Sequence, residues 1–332
     1  MKILVIGGCG YIGSHFVAEA LSRPELKVIV LDNLSTGHRV SIPKNTPFYQ
    51  VDIRDQAKLT EVFEKEKDIA AVFHFAAFSV VSESMQDPLK YFDNNTYGII
   101  ALLKIMQQSN VKNIIFSSTA SVYGVPDEIP IKESAPTNPI NPYGESKLMM
   151  EKIIQWTDQA YGIKGIALRY FNVAGALDGG RIGEDHNPET HLVPNILRAA
   201  LDKIPQLEIF GNNYATKDGT CIRDYVHPTD LADAHLLALE HLIKTQTSRI
   251  FNLGSSHGFS VLEMIKSAEE IIGREIPKTF SDPRPGDPAI LIADSTQARE
   301  VLNWHPKYDN VADIIKTAWE WAEHNPDGYE QD

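Results

Sequence analysis

The chain has 332 residues, enough for one large or two modest domains, and its hydrophobic fraction of 43% suits a substantial core. A formal net charge of −13 argues against a nucleic-acid surface, and it means that an anionic substrate must be held by local arginines rather than by the overall field. The two cysteines, Cys9 and Cys221, form no disulfide framework and fit a reducing, cytoplasmic setting; no apolar run reaches the ~18 residues of a membrane span, and Met1-Lys2 leads straight into a strand, so no signal segment is expected.

In chain order, Ile3-Leu4-Val5-Ile6 is a short apolar run suited to a buried parallel strand. Gly7, Gly10 and Gly13 follow, with Tyr11 and Ile12 between them, and then a helical pattern through Phe16, Val17, Ala20 and Leu21. Glycines in that place permit a tight turn and let the backbone approach a pyrophosphate at a helix N-terminus. The spacing differs by one position from Gly-x-Gly-x-x-Gly, and its weight comes from the context of strand before and helix after. The second strand, Val28-Ile29-Val30-Leu31, ends in Asp32, roughly 20 residues past the last glycine, where an acid can accept hydrogen bonds from a ribose 2′-hydroxyl. A carboxylate there repels a 2′-phosphate, so NAD is expected over NADP; Arg39, several residues on, is the nearest arginine.

Three further strand ends follow: Asp52-Ile53, where an adenine could be met; Phe75-Ala76-Ala77, small enough to let a dinucleotide pass; and Ser117-Ser118-Thr119. Ligands bind outside the carboxyl ends of open parallel sheets, so Asp32, Asp52, Ala76 and Thr119 are expected to face one crevice. Pro142 then opens a helix carrying Tyr143 and Lys147, four residues apart and so on one face. Common alone, that spacing gains meaning beside the cofactor signals: an ammonium next to a phenol favours phenolate and makes a better base.

Strand-like and helical runs alternate to about residue 172, predicting an α/β, doubly wound parallel sheet (Rossmann) with a second, smaller α/β substrate-binding lobe. Helices are expected over 89–109, 143–160, 229–243 and 260–272, a strand over 249–254, and loops at 174–190, 211–220 and 282–288. Residues 1–172 and 224–254 are assigned to the dinucleotide-binding domain, and 173–223 and 255–332 to the substrate-binding domain.

The glycine turn, Asp32, the Ser117-Ser118-Thr119 strand end and the Tyr143/Lys147 pair together resemble the extended short-chain dehydrogenase/reductase family. The runs Gly8 to His15, Phe116 to Gly124, Arg169-Tyr170-Phe171-Asn172 and Arg223-Asp224-Tyr225-Val226-His227 narrow the resemblance to the UDP-glucose 4-epimerase family, over residues 1 to about 325. The resemblance implies an isomerase that holds NAD tightly and regenerates it within each turnover. Tyr143 would take the proton of the sugar 4-hydroxyl while hydride leaves C4, and the 4-keto sugar would turn before hydride returns to its other face. Thr119, where the family usually has Ser, would hydrogen-bond the reacting oxygen; Lys147 would lower the Tyr143 pKa and bind the nicotinamide ribose.

The resemblance also implies cofactor contacts from Asn33, Leu34, Ser35, Thr36, Gly37, Ser79, Asn94, Ser117 and Phe171. Arg223 and Arg284 would clamp a diphosphate, helped by Asn172. Leu192, Ile209 and Phe210 would frame a uracil, Tyr225 and Asp287 would complete the nucleotide shell, and His191 stands where many relatives have Asn. Leu291 falls near the position that gates the sugar pocket, intermediate between the bulky aromatic that excludes N-acetylated sugars and the small residue that admits them. Related dehydratases and decarboxylases carry an acid just after the Ser/Thr; here Ala120 and Ser121 stand there, so epimerisation is expected over elimination.

Epimerisation of another nucleotide-sugar (UDP-GlcNAc, a UDP-pentose or a UDP-uronate) is the alternative reading. A non-catalytic dinucleotide-binding protein is the third, and Thr119, Tyr143 and Lys147 speak against it. Relatives dimerise through the helices at 89–109 and 143–160, so a homodimer is expected. The segment Glu184-Asp185-His186 to Glu189 and His191 has the residue types of a metal site, but spacing shows neither ligand count nor outer partners, so it is read as a loop over the substrate with no metal.

Overall fold

A computed structural model describes residues 1–284 and 287–330 of the chain. In the expected 282–288 loop, Pro285 and Gly286 lie outside the described residues. The elements, in order, are β1 (Lys2–Ile6), α1 (Tyr11–Leu21), β2 (Lys27–Asp32), β3 (Phe48–Gln50), α2 (Gln56–Lys65), β4 (Ile69–His74), α3 (Val81–Gln86), α4 (Pro88–Tyr91), α5 (Gly98–Gln108), β5 (Asn113–Thr119), α6 (Pro142–Tyr161) and β6 (Lys164–Tyr170). They continue with β7 (Asn172–Val173), α7 (Leu192–Ala200), β8 (Leu207–Phe210), β9 (Ile222–Val226), α8 (Pro228–Thr245), β10 (Arg249–Leu253), β11 (Gly258–Ser260), α9 (Val261–Ile272), β12 (Lys278–Ser281), β13 (Ile290–Leu291), α10 (Thr296–Leu302) and α11 (Val311–His324).

Seven strands form one parallel sheet in the order β10-β6-β5-β4-β1-β2-β3. Its strand order reverses between β1 and β4, the point at which an open parallel sheet leaves a crevice at its carboxyl edge. Alternation along β1 explains the two helical layers. Ile3 and Val5 point into a core shared with Phe16, Val17, Leu231 and Leu239 of α1 and α8, while Leu4 and Ile6 point into the opposite core with Leu59, Leu102, Met106 and Ile154 of α2, α5 and α6. The fold is therefore doubly wound, with the crevice opening over the strand ends named from the sequence.

Three strands, β11-β9-β13, with β7 paired to β9, make a small sheet, and β12 pairs with β8. Behind them Val193, Ile196, Met264, Ile265, Ile314 and Ile315 of α7, α9 and α11 form a separate core. β10 returns the chain to the large sheet beside β6.

The 89–109 stretch is helical throughout but not uniformly α: Phe92–Tyr97 is wound as a π-helix between α4 and α5. The wide turn lets two successive asparagines, Asn94 and Asn95, both be buried. Asn95 accepts from the Phe78 N–H (2.9 Å) and donates to the Phe78 carbonyl (3.1 Å) and to the Ser146 hydroxyl (3.0 Å), tying this segment to α6.

Candidate active site

One cleft of about 1350 Å³ runs from the glycine turn to the small sheet, larger than a pocket for a single small ligand and roomy enough for two nucleotides end to end. At its cofactor end, Gly7 has φ +78°, and a side chain there would meet the Ala76 nitrogen at 2.5 Å. A side chain on Gly13 would meet the Gly7 carbonyl at 2.0 Å. Gly10 is different: a Cβ there would approach no protein atom closer than 3.5 Å, yet the residue lines the cleft, so the space it leaves open serves something other than protein packing. Gly10 also caps α1 without a side-chain bond, leaving the first-turn N–H groups for an anion.

Asp32 is 7% exposed at the end of β2, and its carboxylate accepts from the Cys9 N–H (2.9 Å) and the Leu34 N–H (2.8 Å). Those bonds hold the acid in the cleft wall, while burial pushes its pKa up from the usual carboxylate range. An open anion-binding helix start and a fixed carboxylate acceptor in the same cleft wall are the groups that a dinucleotide requires, so the residues present fit NAD.

The reacting end is built by a close approach of α6 to β5. Thr119 ends β5, and its Oγ1 accepts from the Ser121 N–H (3.2 Å). Asn141 caps α6 by accepting from the Gly144 N–H (2.8 Å), with Pro142 in the first turn. A Cβ on Gly144 would lie 2.6 Å from the Ser121 carbonyl, so only glycine lets the helix start press against that turn and bring Tyr143 to Thr119. Lys147 is buried, donates to the Ser117 carbonyl (2.8 Å) and sits 5.0 Å from the centre of the Phe116 ring. One of its three donors is thereby used and two remain for groups in the cleft.

The charge effect expected of Lys147 on Tyr143 is overridden among the protein's own groups. Burial pushes the Tyr143 phenol up to about 12, with the Thr119 hydroxyl pulling the other way, and it pushes the Lys147 ammonium down to about 7, with Glu151 opposing. Helix spacing puts the two side chains on one face, but it cannot show that both are taken out of water together.

Behind this pair lies a polar network that the sequence did not reveal. Arg169 of β6 donates to Glu151 of α6 through Nε (2.9 Å) and Nη2 (2.6 Å), and to the Tyr123 hydroxyl through Nη1 (2.9 Å); Tyr123 donates to Asn252 of β10 (2.7 Å). The Ser118 hydroxyl also donates to Glu151, and the hydroxyls of Ser117 and Tyr170 are hydrogen-bonded to each other.

At the substrate end, Arg223 on β9 pairs with Asp287 (2.5 Å) and donates from Nη1 to the Ile222 carbonyl (2.8 Å). The Arg284 guanidinium lies 4.0 Å from the centre of the Phe210 ring. Asn172, Leu192, Ile209, Tyr225 and Leu291 complete that part of the wall. Two other residues of the Arg223 motif, Asp224 and His227, are structural. Asp224 accepts from the N–H groups of Ser255, Ser256 and Ala293. His227 stacks on Tyr308, with ring centres 4.0 Å apart.

Of the residues expected at the site, two leave the cleft wall. The Asp52 carboxylate is taken by Arg54 (2.8 and 2.9 Å) and by Asn33 (3.2 Å), so it does not share the crevice with Asp32, Ala76 and Thr119. Leu34 takes a left-handed turn, φ 58°, and packs its side chain against the α1/α8 core. His191 is in the wall, but its Nδ1 faces the Glu184 carboxylate, which, with Glu189, holds the imidazole pKa up to about 9. Glu184, His186 and Glu189, in the loop read from the sequence as lying over the substrate, line the cleft, and so do Ser121, Asn141 and Tyr170, which were not among the expected site residues. Asn141 was legible as a helix cap ahead of Pro142; the others are brought in by folding alone.

The model of the NAD dependent epimerase/dehydratase family matches residues 3–254. A UDP-glucose 4-epimerase of Lacticaseibacillus casei is 57% identical over 329 residues, 99% of either chain. Among solved structures, a UDP-glucose 4-epimerase superposes with a TM-score of 0.97 at 48% identity, covering 100% of both chains. The Brucella ovis UDP-glucose 4-epimerase in complex with NAD superposes with a TM-score of 0.92 at 45% identity, covering 96% of this chain and 97% of that one.

Proposed function

The chain belongs to the NAD dependent epimerase/dehydratase family, and from that premise we propose that it interconverts UDP-glucose and UDP-galactose by inverting C4 of the sugar. The observation that carries this reading is the meeting of Thr119, Tyr143 and Lys147 where the two ends of one cleft join, with Ala120 and Ser121 offering no acid for an elimination.

NAD, when bound, supplies the acceptor and then the donor of the hydride at C4. The chain's own residues manage the proton and the geometry. Tyr143, in its phenolate form, takes the proton of the 4-hydroxyl and gives it back in the second half of the turnover, so no net proton is consumed; the positive charge of oxidised NAD would oppose the burial that holds this phenol up. The Thr119 hydroxyl hydrogen-bonds the same oxygen and shares that proton. Lys147 keeps a donor on the ribose side, held in place by the Ser117 carbonyl. Asp32 receives the adenosine ribose, and the open start of α1 receives the pyrophosphate.

At the other end Arg223, Arg284 and Asn172 hold the UDP diphosphate, which lets the keto-sugar turn while its anchor stays fixed. Leu192, Ile209, Phe210, Tyr225 and Asp287 form the rest of the nucleotide shell. Residues 1–172 and 224–254 are read as the dinucleotide-binding unit and 173–223 with 255–332 as the UDP-sugar-binding unit, with Asn172 and Tyr225 reaching the UDP-sugar from the first, through strands of the small sheet.

The working state is a cytoplasmic homodimer. Exposed Leu89, Tyr97, Met149 and Trp156 on α4, the π-wound segment and α6 support this, being large apolar side chains on one helical layer. A sedimentation mass of one chain at micromolar concentration would reject it.

The test of function is a coupled assay of purified protein with UDP-galactose and no added NAD, reading UDP-glucose formed. Turnover supports 4-epimerisation with a retained cofactor. No turnover with NAD present in the denatured supernatant moves the reading to another nucleotide-sugar. No turnover and no cofactor, even after NAD is added, overturns it.

A further inference from the structure

The loop between Glu184 and α7 gathers four side chains in the cleft wall to which the proposed proton and hydride chemistry gives no role. One donor atom each from Glu184, His186, Glu189 and His191 lies within 4.8 Å of all the others. His186 Nδ1 is 3.2 Å from Glu184 Oε1 and 3.8 Å from Glu189 Oε2, and His191 Nδ1 contacts Glu184 and lies 3.7 Å from Glu189 Oε1. The two carboxylate side chains are only 6% and 5% exposed. Two adjacent carboxylates withdrawn from water repel one another unless positive charge lies between them.

We propose that Glu184, His186, Glu189 and His191 together bind one divalent first-row transition cation, zinc by preference, in a closed structural site. Two imidazoles and two carboxylates suit zinc rather than magnesium or calcium, and four protein ligands fill a tetrahedron without an open position. Tetrahedral ligands at zinc distances lie about 3.3 Å apart, inside the 4.8 Å that contains the four donor atoms, so closing onto a cation needs a contraction of about an ångström or more at the widest pair. The ligands are already oriented from outside: Glu189 Oε1 accepts from the N–H groups of Thr190 and His191 (2.7 Å each), which leaves Oε2 directed to the cluster. The backbone of the loop is tied back by the Trp321 indole N–H on the Glu184 carbonyl (3.2 Å). The His186 ring also meets the edge of Tyr11, in the first turn of α1 (ring centres 6.3 Å apart). A cation here would fasten the glycine-turn helix, the loop and the start of α7 into one wall of the cleft.

The test uses the full-length chain without an affinity tag, freed of metal with EDTA and titrated with Zn²⁺ against a chromophoric chelator. One equivalent bound with submicromolar affinity is expected, and Co²⁺ in its place should give the intense visible absorption of a tetrahedral centre. Glu184→Gln and His186→Ala should each weaken zinc binding at least about 100-fold. Glu189→Gln, nearly isosteric, serves as the ligand variant if either of those fails to fold. Failure of the wild-type chain to retain zinc overturns the proposal. So does zinc held equally by wild type and variants, because the metal then sits elsewhere.

Discussion

Tyr143 carries the sharpest single-residue consequence. Its phenol is hydrogen-bonded to Thr119, and its oxygen is the group proposed to take the 4-hydroxyl proton, with Thr119 sharing it. Tyr143→Phe keeps the ring and its edge contact with Tyr91 (ring centres 6.5 Å apart), so folding and NAD retention should be unchanged. Turnover should fall by about 10²–10⁴-fold, the range of a lost general acid–base group. Assaying activity and extracting cofactor from the same preparation checks both halves, and wild-type turnover in the variant would remove Tyr143 as the base. Leu291 is a second residue-scale case. It lines the sugar end of the cleft and is only partly buried, too small to close the pocket as an aromatic would. Some turnover of UDP-GlcNAc beside UDP-glucose is therefore expected, and Leu291→Tyr should reduce it about tenfold or more relative to UDP-galactose, a steric loss of one to two kcal/mol. No detectable UDP-GlcNAc turnover by wild type at high enzyme concentration would defeat this. Asp52 shows where single-residue reading stops. As a strand-end acid it was expected to face the same crevice as Asp32, at the adenine, but Arg54 sits two residues on and occupies its carboxylate, a pairing that depends on how the loop turns.

Between elements, the pairing of α6 with β6 decides how firmly the catalytic helix is seated. Glu151 and Arg169 are 6% and 4% exposed and joined by two hydrogen bonds, with Tyr123 and Asn252 extending the network to β10. Arg169→Met leaves a buried carboxylate without its partner and should destabilise the fold by about 3–5 kcal/mol. Adding Glu151→Leu removes the orphaned charge and should recover most of that loss. Denaturant midpoints of wild type, single and double variants measure it, and a double variant as unstable as the single would contradict the argument. Elements of this kind were only half legible. The strands, the glycine turn and the α6 start follow from apolar periodicity, glycine placement and the Asn141-Pro142 cap, which are local signals. The π-winding at 92–97 and the Arg169 network depend on partners distant in sequence, such as Ser146 for Asn95 and Glu151 for Arg169, so periodicity carries no trace of them. The loop before α7 is the same case: its four ligand-type residues were visible, their convergence was not.

Across the whole molecule, buried histidines set the response to acid. Burial holds His15 and His235 down to about 4, and His74 and His227 down to about 3. In the unfolded chain each would take a proton near ~6.5. Between those values the unfolded state binds protons that the folded state refuses, so stability is present above pH 6.5 and is lost as pH falls. Asp224 acts in the opposite sense: burial raises it to about 6, so the folded state binds its proton first and gains stability as pH drops through 6. Asp32, Glu133, Glu189, Asp230 and Asp233, also raised by burial, add to that opposition. His191, raised to about 9, is protonated in both states below pH 6 and leaves the slope there unchanged. Four histidines outweigh these acids near pH 5.5, so unfolding free energy should fall as pH drops below about 6. Urea midpoints at pH 7, 6 and 5 measure the slope, and a flat or rising series would contradict it. His74 isolates the cause, because among the described residues neither of its ring nitrogens has a hydrogen-bond partner, so replacing the ring removes a titrating group without breaking a bond seen there. His74→Leu should reduce the acid slope by about 1.4 kcal/mol per pH unit, the share of one proton, while an unchanged slope would mean that the loss of stability comes from other groups.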